Sequence, residues 1–375
     1  MRLVPIGSLK NDSIVAKTIY NERGSVLLKS NVSLSENLIE KLRDNGIISV
    51  YIKDDYSLGE IQDVISPELR NKAVREVKQV FEMVQRDLHD QITELQKEKK
   101  SIKKRLNMMA DQKYFDQISG VIDDMMEDIG KNKDAMVGLV DIKNMNGFLY
   151  QHAVQVTVLS LVVGIDMKLG RQNLKELAIG AMLHDIGLAM IDHNLWVYKE
   201  DFTEEEKKIY KSHVELGYEF IKENTMLTGA SIIPILEHHE TYNGEGYPMG
   251  RKGNKIHKNA RIVSVANVYD KMTSGIDGTF IQPSEAIEYI MGNSGETGLF
   301  DIDIARRFVR RVVPYAIGSY VMLSNQEMAV VVGYNVNNPL RPILKVIEEN
   351  KKLDDLKKID LMAHENYKLT IIKTL

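Results

Sequence analysis

Hydrophobic and polar positions along the chain fall into four textures. From Met1 to about Asp55, short apolar runs at Ser13–Tyr20 and Ser25–Leu28 flank the polar turn Asn21-Glu22-Arg23-Gly24. Ser35–Asn45 then reads as a helix, with Ser35 as N-cap and Gly46 as C-cap, leading into a strand that ends at Ile52. The pattern predicts a small α/β module over residues 1–65, with no catalytic signature of its own. Residues 66–112 predict a long helical connector. Leu69, Ala73, Val77, Val80, Val84, Leu88, Ile92 and Leu95 recur at steps of three and four, which is one face of a helix. That spacing suits a helix packed on its own chain and equally a coiled-coil seam with a second copy. Both stay open, and the second makes a homodimer an expectation.

Residues 113–313 read as helical almost throughout, with Gly- and Asn-rich breaks. Beyond Pro314, the runs Gly318–Leu323 and Met328–Tyr334 surround Ser324-Asn325-Gln326-Glu327, and Val/Ile runs follow. They predict a small β appendage over 314–375. The fold class is mainly α.

Composition narrows the chemistry. At roughly 100–200 residues per domain, 375 residues allow two or three domains. Lys and Arg number 49 against 53 Asp and Glu, a net charge of -4. No overall basic field is present to hold DNA, RNA or an anionic membrane. Cysteine is absent, which excludes disulfides, thiolate nucleophiles and Cys-ligated metals and fits a reducing compartment. Met1-Arg2-Leu3-Val4-Pro5 lacks the apolar stretch of a signal peptide. The most apolar window, Ala153–Ile165, is interrupted by Gln155, Thr157 and Ser160 and is read as too short to span a bilayer. The expectation is a cytoplasmic protein.

Of nine His, five share one region: His152, His184 followed by Asp185, His213, and the pair His238-His239. His184-Asp185 closes the apolar stretch Leu174–Leu183 just before Gly187, so imidazole and carboxylate emerge together where a helix stops. His238-His239-Glu240 closes Ala230–Glu237 in the same way. Imidazole and carboxylate are what divalent iron, manganese or zinc accept when thiolate is missing. Burying so many titratable groups with no cation between them would be expensive. As a set they point to a metal site.

Together with Asn243-Gly244-Glu245-Gly246-Tyr247-Pro248 and the segment Ala260–Asp270, these elements resemble the HD-GYP family over about Asn146–Val313. The resemblance implies an HD-type helical bundle with a two- or three-metal centre that hydrolyses cyclic di-GMP to pGpG or GMP. Carried over, His152, His184, Asp185 and Asn267 hold one metal, and Asp185 bridges to a second held by His213, His238 and His239. Two divalent ions, iron or manganese with zinc also compatible, would activate a bridging hydroxide, with Asp185 as the catalytic residue that positions it. Gly246, Tyr247 and Pro248 would form a rigid substrate-binding loop that also serves in the family as a surface for signalling proteins. A plain structural turn fits the same residues.

Four positions depart from the family pattern. Asn267 stands for a metal-binding Asp, and Leu188 for a Lys that meets substrate phosphate. Ser274–Phe280 lacks the usual Arg, and Phe148 replaces the Glu of trinuclear members. The expected function is therefore a metal-dependent phosphodiesterase acting on cyclic di-GMP or a related nucleotide. The alternative is a catalytically impaired HD-GYP signalling module that binds metal, nucleotide or a partner without turnover.

Overall fold

The computed structural model describes residues 2–20, 26–45, 47, 49–53, 64–98, 112–131, 147–197, 199, 201–274, 281–315, 317–335, 338–348, 351 and 353–374. The expected turn at Asn21–Gly24, the Gly46 cap and the stretch 275–280 lie outside these residues. The N-terminal segment contains strands β1 (Arg2–Pro5), β2 (Ile14–Val15), β3 (Ile19–Tyr20) and β4 (Val26–Leu28), helix α1 (Glu36–Asp44) and strand β5 (Ser49–Lys53). A three-stranded antiparallel sheet runs β1-β5-β2, and β3 pairs with β4. Ser35 caps α1 by accepting from Leu38 N, as its side chain predicts. Leu34, Ile39 and Leu42 close a small core with Val4, Val15, Val50 and Ile52.

Helices then dominate: α2 (Pro67–Glu98), α3 (Gln112–Lys131), α4 (Phe148–Asp166), α5 (Arg171–Leu183), α6 (Glu204–Lys211), α7 (His213–Asn224), α8 (Gly229–Glu237), α9 (Lys258–Ser274), α10 (Pro283–Gly292) and α11 (Ile302–Arg311). The apolar face of α2 packs on α3, on α4 and on a 3-10 turn, Ile186–Met190. Leu69, Ala73, Val77, Val80 and Val84 are buried in the chain's own core. The side chains of Leu88, Ile92 and Leu95, which continue the seam, lie outside the described residues.

The axis of the bundle is α4, buried on nearly every side between α2, α5, α9 and α11, as a helix apolar all round requires. By length and composition the whole helix, longer than the Ala153–Ile165 window, is apolar enough to cross a bilayer. Yet 89% of its most apolar stretch is buried inside the protein. At its C-terminal end Asp166 accepts from Arg311 Nε at 2.8 Å and Arg307 at 3.2 Å, tying α4 to α11.

Strands β6 (Tyr320–Leu323), β7 (Met328–Gly333), β8 (Ile343–Val346), β9 (Lys358–Asp360) and β10 (Ile371–Thr374) form one antiparallel sheet in the order β10-β6-β7-β8-β9. Its own core contains Val321, Leu323, Ala329, Val331, Leu344 and Ile359. The alternation in Tyr320–Leu323 and Ile343–Val346 places Val321, Leu323, Leu344 and Val346 inward.

Candidate metal centre

Helix ends bring the polar cluster together. His184 terminates α5 and Asp185 follows it; His213 opens α7; His238 terminates α8 and His239 follows it. The chain must turn sharply after Asp185, and it does so in the 3-10 turn pressed against α7. A Cβ at Gly187 would lie 1.9 Å from the His213 carbonyl oxygen, so glycine is what lets the two segments close. That contact sets His213 beside Asp185. His152 enters from α4, and Asn267, Asp270 and Lys271 enter from α9.

Asp185 is the hub, buried with both of its oxygens lacking a hydrogen-bond partner. Oδ1 lies 3.3 Å from His213 Nε2 and 3.3 Å from His238 Nε2. Oδ2 lies 3.2 Å from His184 Nε2, 3.7 Å from His152 Nε2 and 3.7 Å from Lys271 Nζ. Two ligand groups therefore share this carboxylate. Asp185, His213, His238 and His239 offer atoms within 4.8 Å of one another, and so do His152, His184 and Asp185. Asn267 Oδ1 stands 3.0 Å from His152 Nε2, on the second group's side. All seven residues expected as ligands are thus brought together.

The far side of each ring decides what the near side presents. Nδ1 donates to Ala181 O at 2.7 Å in His184, to Tyr210 O at 2.6 Å in His213 and to Pro234 O at 3.0 Å in His238. His152 donates Nδ1 to Asp270 Oδ2 at 2.7 Å. A carbonyl only accepts, and a singly protonated imidazole whose Nδ1 donates keeps its lone pair on Nε2. The Nε2 atoms of His213 and His238 lie 3.5 Å apart with a carboxylate oxygen beside both. Lone pairs facing lone pairs in a buried space fit a divalent cation, and donation from the other ring nitrogen is what orients imidazole ligands around one.

The charge states agree. Burial lowers His152 to about 4 against the pull of Asp270, and His238 to about 3 against Asp185. Burial, with His238 and Lys271 nearby, holds His239 well below its ordinary value. Burial opposes ionisation of Asp185, but His184 and Lys271 outweigh it and hold the carboxyl well below the usual range. Neutral His152, His238 and His239 beside an ionised Asp185 are in the protonation state that binds metal.

Residues 140–304 match the HD domain family and residues 320–375 match the KOW domain associated with HD domain. The first match contains every residue of the cluster and the Gly246-Tyr247-Pro248 loop. The chain is 27% identical over 228 residues to cyclic di-GMP phosphodiesterase PA4108 of Pseudomonas aeruginosa, covering 61% of this chain and 55% of that protein. It is 26% identical over 206 residues to cyclic di-GMP phosphodiesterase PdeB of Borreliella burgdorferi, covering 54% and 53%. The chain is similar to the HD-GYP family over its HD domain match. It spans about half the length of these curated relatives. A solved structure similar to it is Bd1817, a HDG"Y"P protein from Bdellovibrio bacteriovorus, at 16% identity and a TM-score of 0.49, covering 82% of this chain and 97% of that one.

The HD-GYP loop is built against the centre. Tyr247 stacks on His239, ring centroids 4.6 Å apart and 15° between planes, and its backbone N–H donates to His239 O. A Cβ at Gly246 would meet His239 O at 2.4 Å, so this residue too must be glycine for the loop to lie that close. Glu240 anchors the far side by accepting from Met249 N at 2.8 Å and Arg251 N at 2.9 Å. Buried Glu237 pairs with Arg251 at 2.8 Å and accepts from His257 N. Both glutamates near the His pair therefore serve the loop. Tyr247 fulfils a structural and a site-lining position together.

Among the departures, Leu188 is buried in the hydrophobic core, an apolar packing residue where the family pattern has a cation. Phe148 stacks on His152, ring centroids 5.5 Å apart, and so fills the space beyond that imidazole. Two neighbours of the centre escaped the sequence reading. Asp270 backs His152, and Lys271 reaches Asp185; burial opposes the Lys271 charge, but Asp185 and Tyr210 raise its pKa above the ordinary value. The signal was present: both lie one helical turn beyond Asn267, at i+3 and i+4.

Proposed function

We propose that this chain is a metal-dependent phosphodiesterase acting on cyclic di-GMP, yielding pGpG or GMP. The observation that carries the reading is Asp185, a buried carboxylate shared by two sets of imidazole lone pairs. His213, His238 and His239 would hold one divalent ion with Asp185; His152, His184 and Asn267 would hold another. Iron and manganese suit this nitrogen- and oxygen-rich set, and zinc is compatible. When bound, such ions supply Lewis-acid polarisation of a phosphodiester and a nucleophile available at neutral pH.

The chain's own residues perform the remaining work. Backbone carbonyls and Asp270 fix each imidazole so that Nε2 points inward. Asp185 keeps its charge at the point where the ligand groups meet. Tyr247 covers His239, and Lys211 places an ammonium 5.3 Å from the Tyr247 ring centre, a cation beside the rim where a phosphate would enter. The substrate assignment is supported by the similarity to PA4108 and PdeB, both named cyclic di-GMP phosphodiesterases, together with this centre. The test is hydrolysis of cyclic di-GMP by protein purified without oxygen and loaded with iron or manganese. Formation of linear product supports the reading, and an intact dinucleotide in fully loaded protein opposes it.

A second reading has its own observation. Asn267 brings no charge and Leu188 is spent on packing, so two contacts that favour metal and phosphate in the family pattern are missing. On that reading the chain binds metal or nucleotide without turnover. Binding of cyclic di-GMP without product, with turnover gained in Asn267→Asp, would favour it.

A further inference from the structure

Lys271 is the feature of the centre that neither the ligand pattern nor the proposed chemistry uses. It sits on α9 one turn after Asn267, so both side chains leave the same face of the helix. Its Nζ lies 3.7 Å from Asp185 Oδ2 and donates to the Tyr210 hydroxyl at 3.5 Å. Both contacts are long. Elsewhere in the chain Lys175 closes on Asp123 at 2.6 Å and Lys72 on Asp124 at 2.9 Å, so this ammonium stands near its carboxylate without being spent on it. Asp185 Oδ2 is closer to His184 Nε2, at 3.2 Å, and the neighbouring carboxylate of Asp270 is bonded to His152 at 2.7 Å. The charge of Lys271 acts on His152 and on His239, one ring from each ligand group. It therefore serves the whole centre and neither side of it alone. Exposure sets it apart. His152, His184, His213 and His238 approach Asp185 from inside the protein and are buried, whereas the Lys271 side chain is 29% exposed.

We propose that Lys271 is a substrate-binding residue whose ammonium takes a non-bridging phosphate oxygen of the dinucleotide at the mouth of the centre. This rests on the phosphodiesterase reading above and adds a residue to it. The four buried rings close the centre on their side, so a solute reaches Asp185 past the partly exposed groups, which are Lys271 and, beneath Tyr247, His239. Leu188, where the family pattern has a phosphate-contacting Lys, is packed in the hydrophobic core. Lys271 brings an ammonium to the same centre from a different element, α9. Tyr210 holds it there: the Tyr210 ring is buried against His213, with centroids 5.1 Å apart, and its hydroxyl accepts from Nζ. An ammonium has more N–H donors than that one hydroxyl takes. Ions held by the two ligand groups would claim the Asp185 oxygen that Nζ now faces, and the anion to replace it is the one a phosphodiester carries. A charge-assisted hydrogen bond to phosphate is what a lysine in that position offers.

The experiment reads phosphate binding apart from turnover. The full chain, as wild type, Lys271→Met and Lys271→Arg, is loaded with Mn(II) and its bound metal is counted. GMP binding is then measured by calorimetry, with guanosine, which lacks the phosphate, as the control. GMP keeps a phosphate ester and has no phosphodiester to cleave. Lys271→Met should weaken GMP by about 10–100-fold, the size of one charge-assisted hydrogen bond, with the metal count and the response to guanosine unchanged. Lys271→Arg should retain most of the affinity. The same loss should appear in KM for cyclic di-GMP. Equal GMP affinity, or an equal KM, in wild type and Lys271→Met would overturn the proposal while leaving the phosphodiesterase reading intact. So would loss of metal together with GMP in Lys271→Met, because Lys271 would then support the ligands and not the phosphate. Loaded wild type that neither binds GMP nor hydrolyses cyclic di-GMP would overturn the phosphodiesterase reading as well. Far-ultraviolet circular dichroism reports whether each variant is folded, and Lys271→Gln is the neutral variant to use should Lys271→Met not fold.

Discussion

His152 donates its Nδ1 proton to Asp270 across 2.7 Å, which turns Nε2 toward Asp185 and Asn267. Asp270 is thus a positioning residue for the centre. Replacing it with Asn keeps the shape and removes the charge that makes the imidazole a strong donor of electrons. Loss of such a partner typically costs about 10–100-fold in metal affinity. Asp270→Asn should therefore weaken the ion bound on the His152 side by that order and leave the His213 side unchanged, as read by metal titration of the two variants Asp270→Asn and His213→Ala.

Gly187 sets a steric condition. Its missing Cβ would fall 1.9 Å from the carbonyl oxygen of His213, which belongs to backbone and cannot rotate away. Overpacking of this kind costs about 1–3 kcal/mol and sometimes more. Gly187→Ala should lower the denaturant midpoint and displace His213 from Asp185. Equilibrium unfolding, paired with metal content, checks both effects.

Acid should destabilise the metal-free protein. His152 and His238 ionise near about 4 and about 3 in the folded chain, against 6.5 when unfolded, because both are buried. Between 6.5 and those values the unfolded chain binds more protons than the folded one, so stability is fully present above 6.5 and falls as pH drops toward 4. Urea unfolding of chelator-treated protein at pH 7.5 and pH 5 should show the lower midpoint at pH 5. Equal midpoints would contradict the buried, neutral state of these rings.

Glu240 acts on the loop. Its carboxylate takes the backbone N–H groups of Met249 and Arg251, and truncation would leave both unpaired beside the HD-GYP turn. Glu240→Ala should loosen Tyr247 and raise KM for the dinucleotide by more than it lowers metal content. Steady-state kinetics on metal-replete protein, with metal counted in the same sample, separates the two.

Much of this was legible in the chain itself. Short apolar runs against long three-and-four periodicity distinguish β ends from a helical centre, and the structure keeps that division in the strand pairings and in α2 to α11. His184-Asp185 and His238-His239 at the ends of apolar helices gave away the centre, because a helix that stops exposes its last side chains together. Lys271 and Asp270 were less visible: charged residues on a helix are commonly solvated, and only the packing of α9 against α4 turns them inward. Glu240 beside two imidazoles looked like part of a metal set, and its hydrogen bonds to the loop could be found only in three dimensions. The seam of α2 suited two partners equally, and packing against α3 and α4 uses its Leu69–Val84 part within the chain.

Asp185 is the carboxylate through which the two candidate ligand groups meet. Asp185→Asn preserves the shape of the side chain and removes its charge, and the decisive measurement is cyclic di-GMP hydrolysis and bound metal in this variant beside wild type, both purified without oxygen and loaded with manganese. Product and bound metal are expected in wild type, and neither in folded Asp185→Asn. Hydrolysis that persists in Asp185→Asn would contradict this.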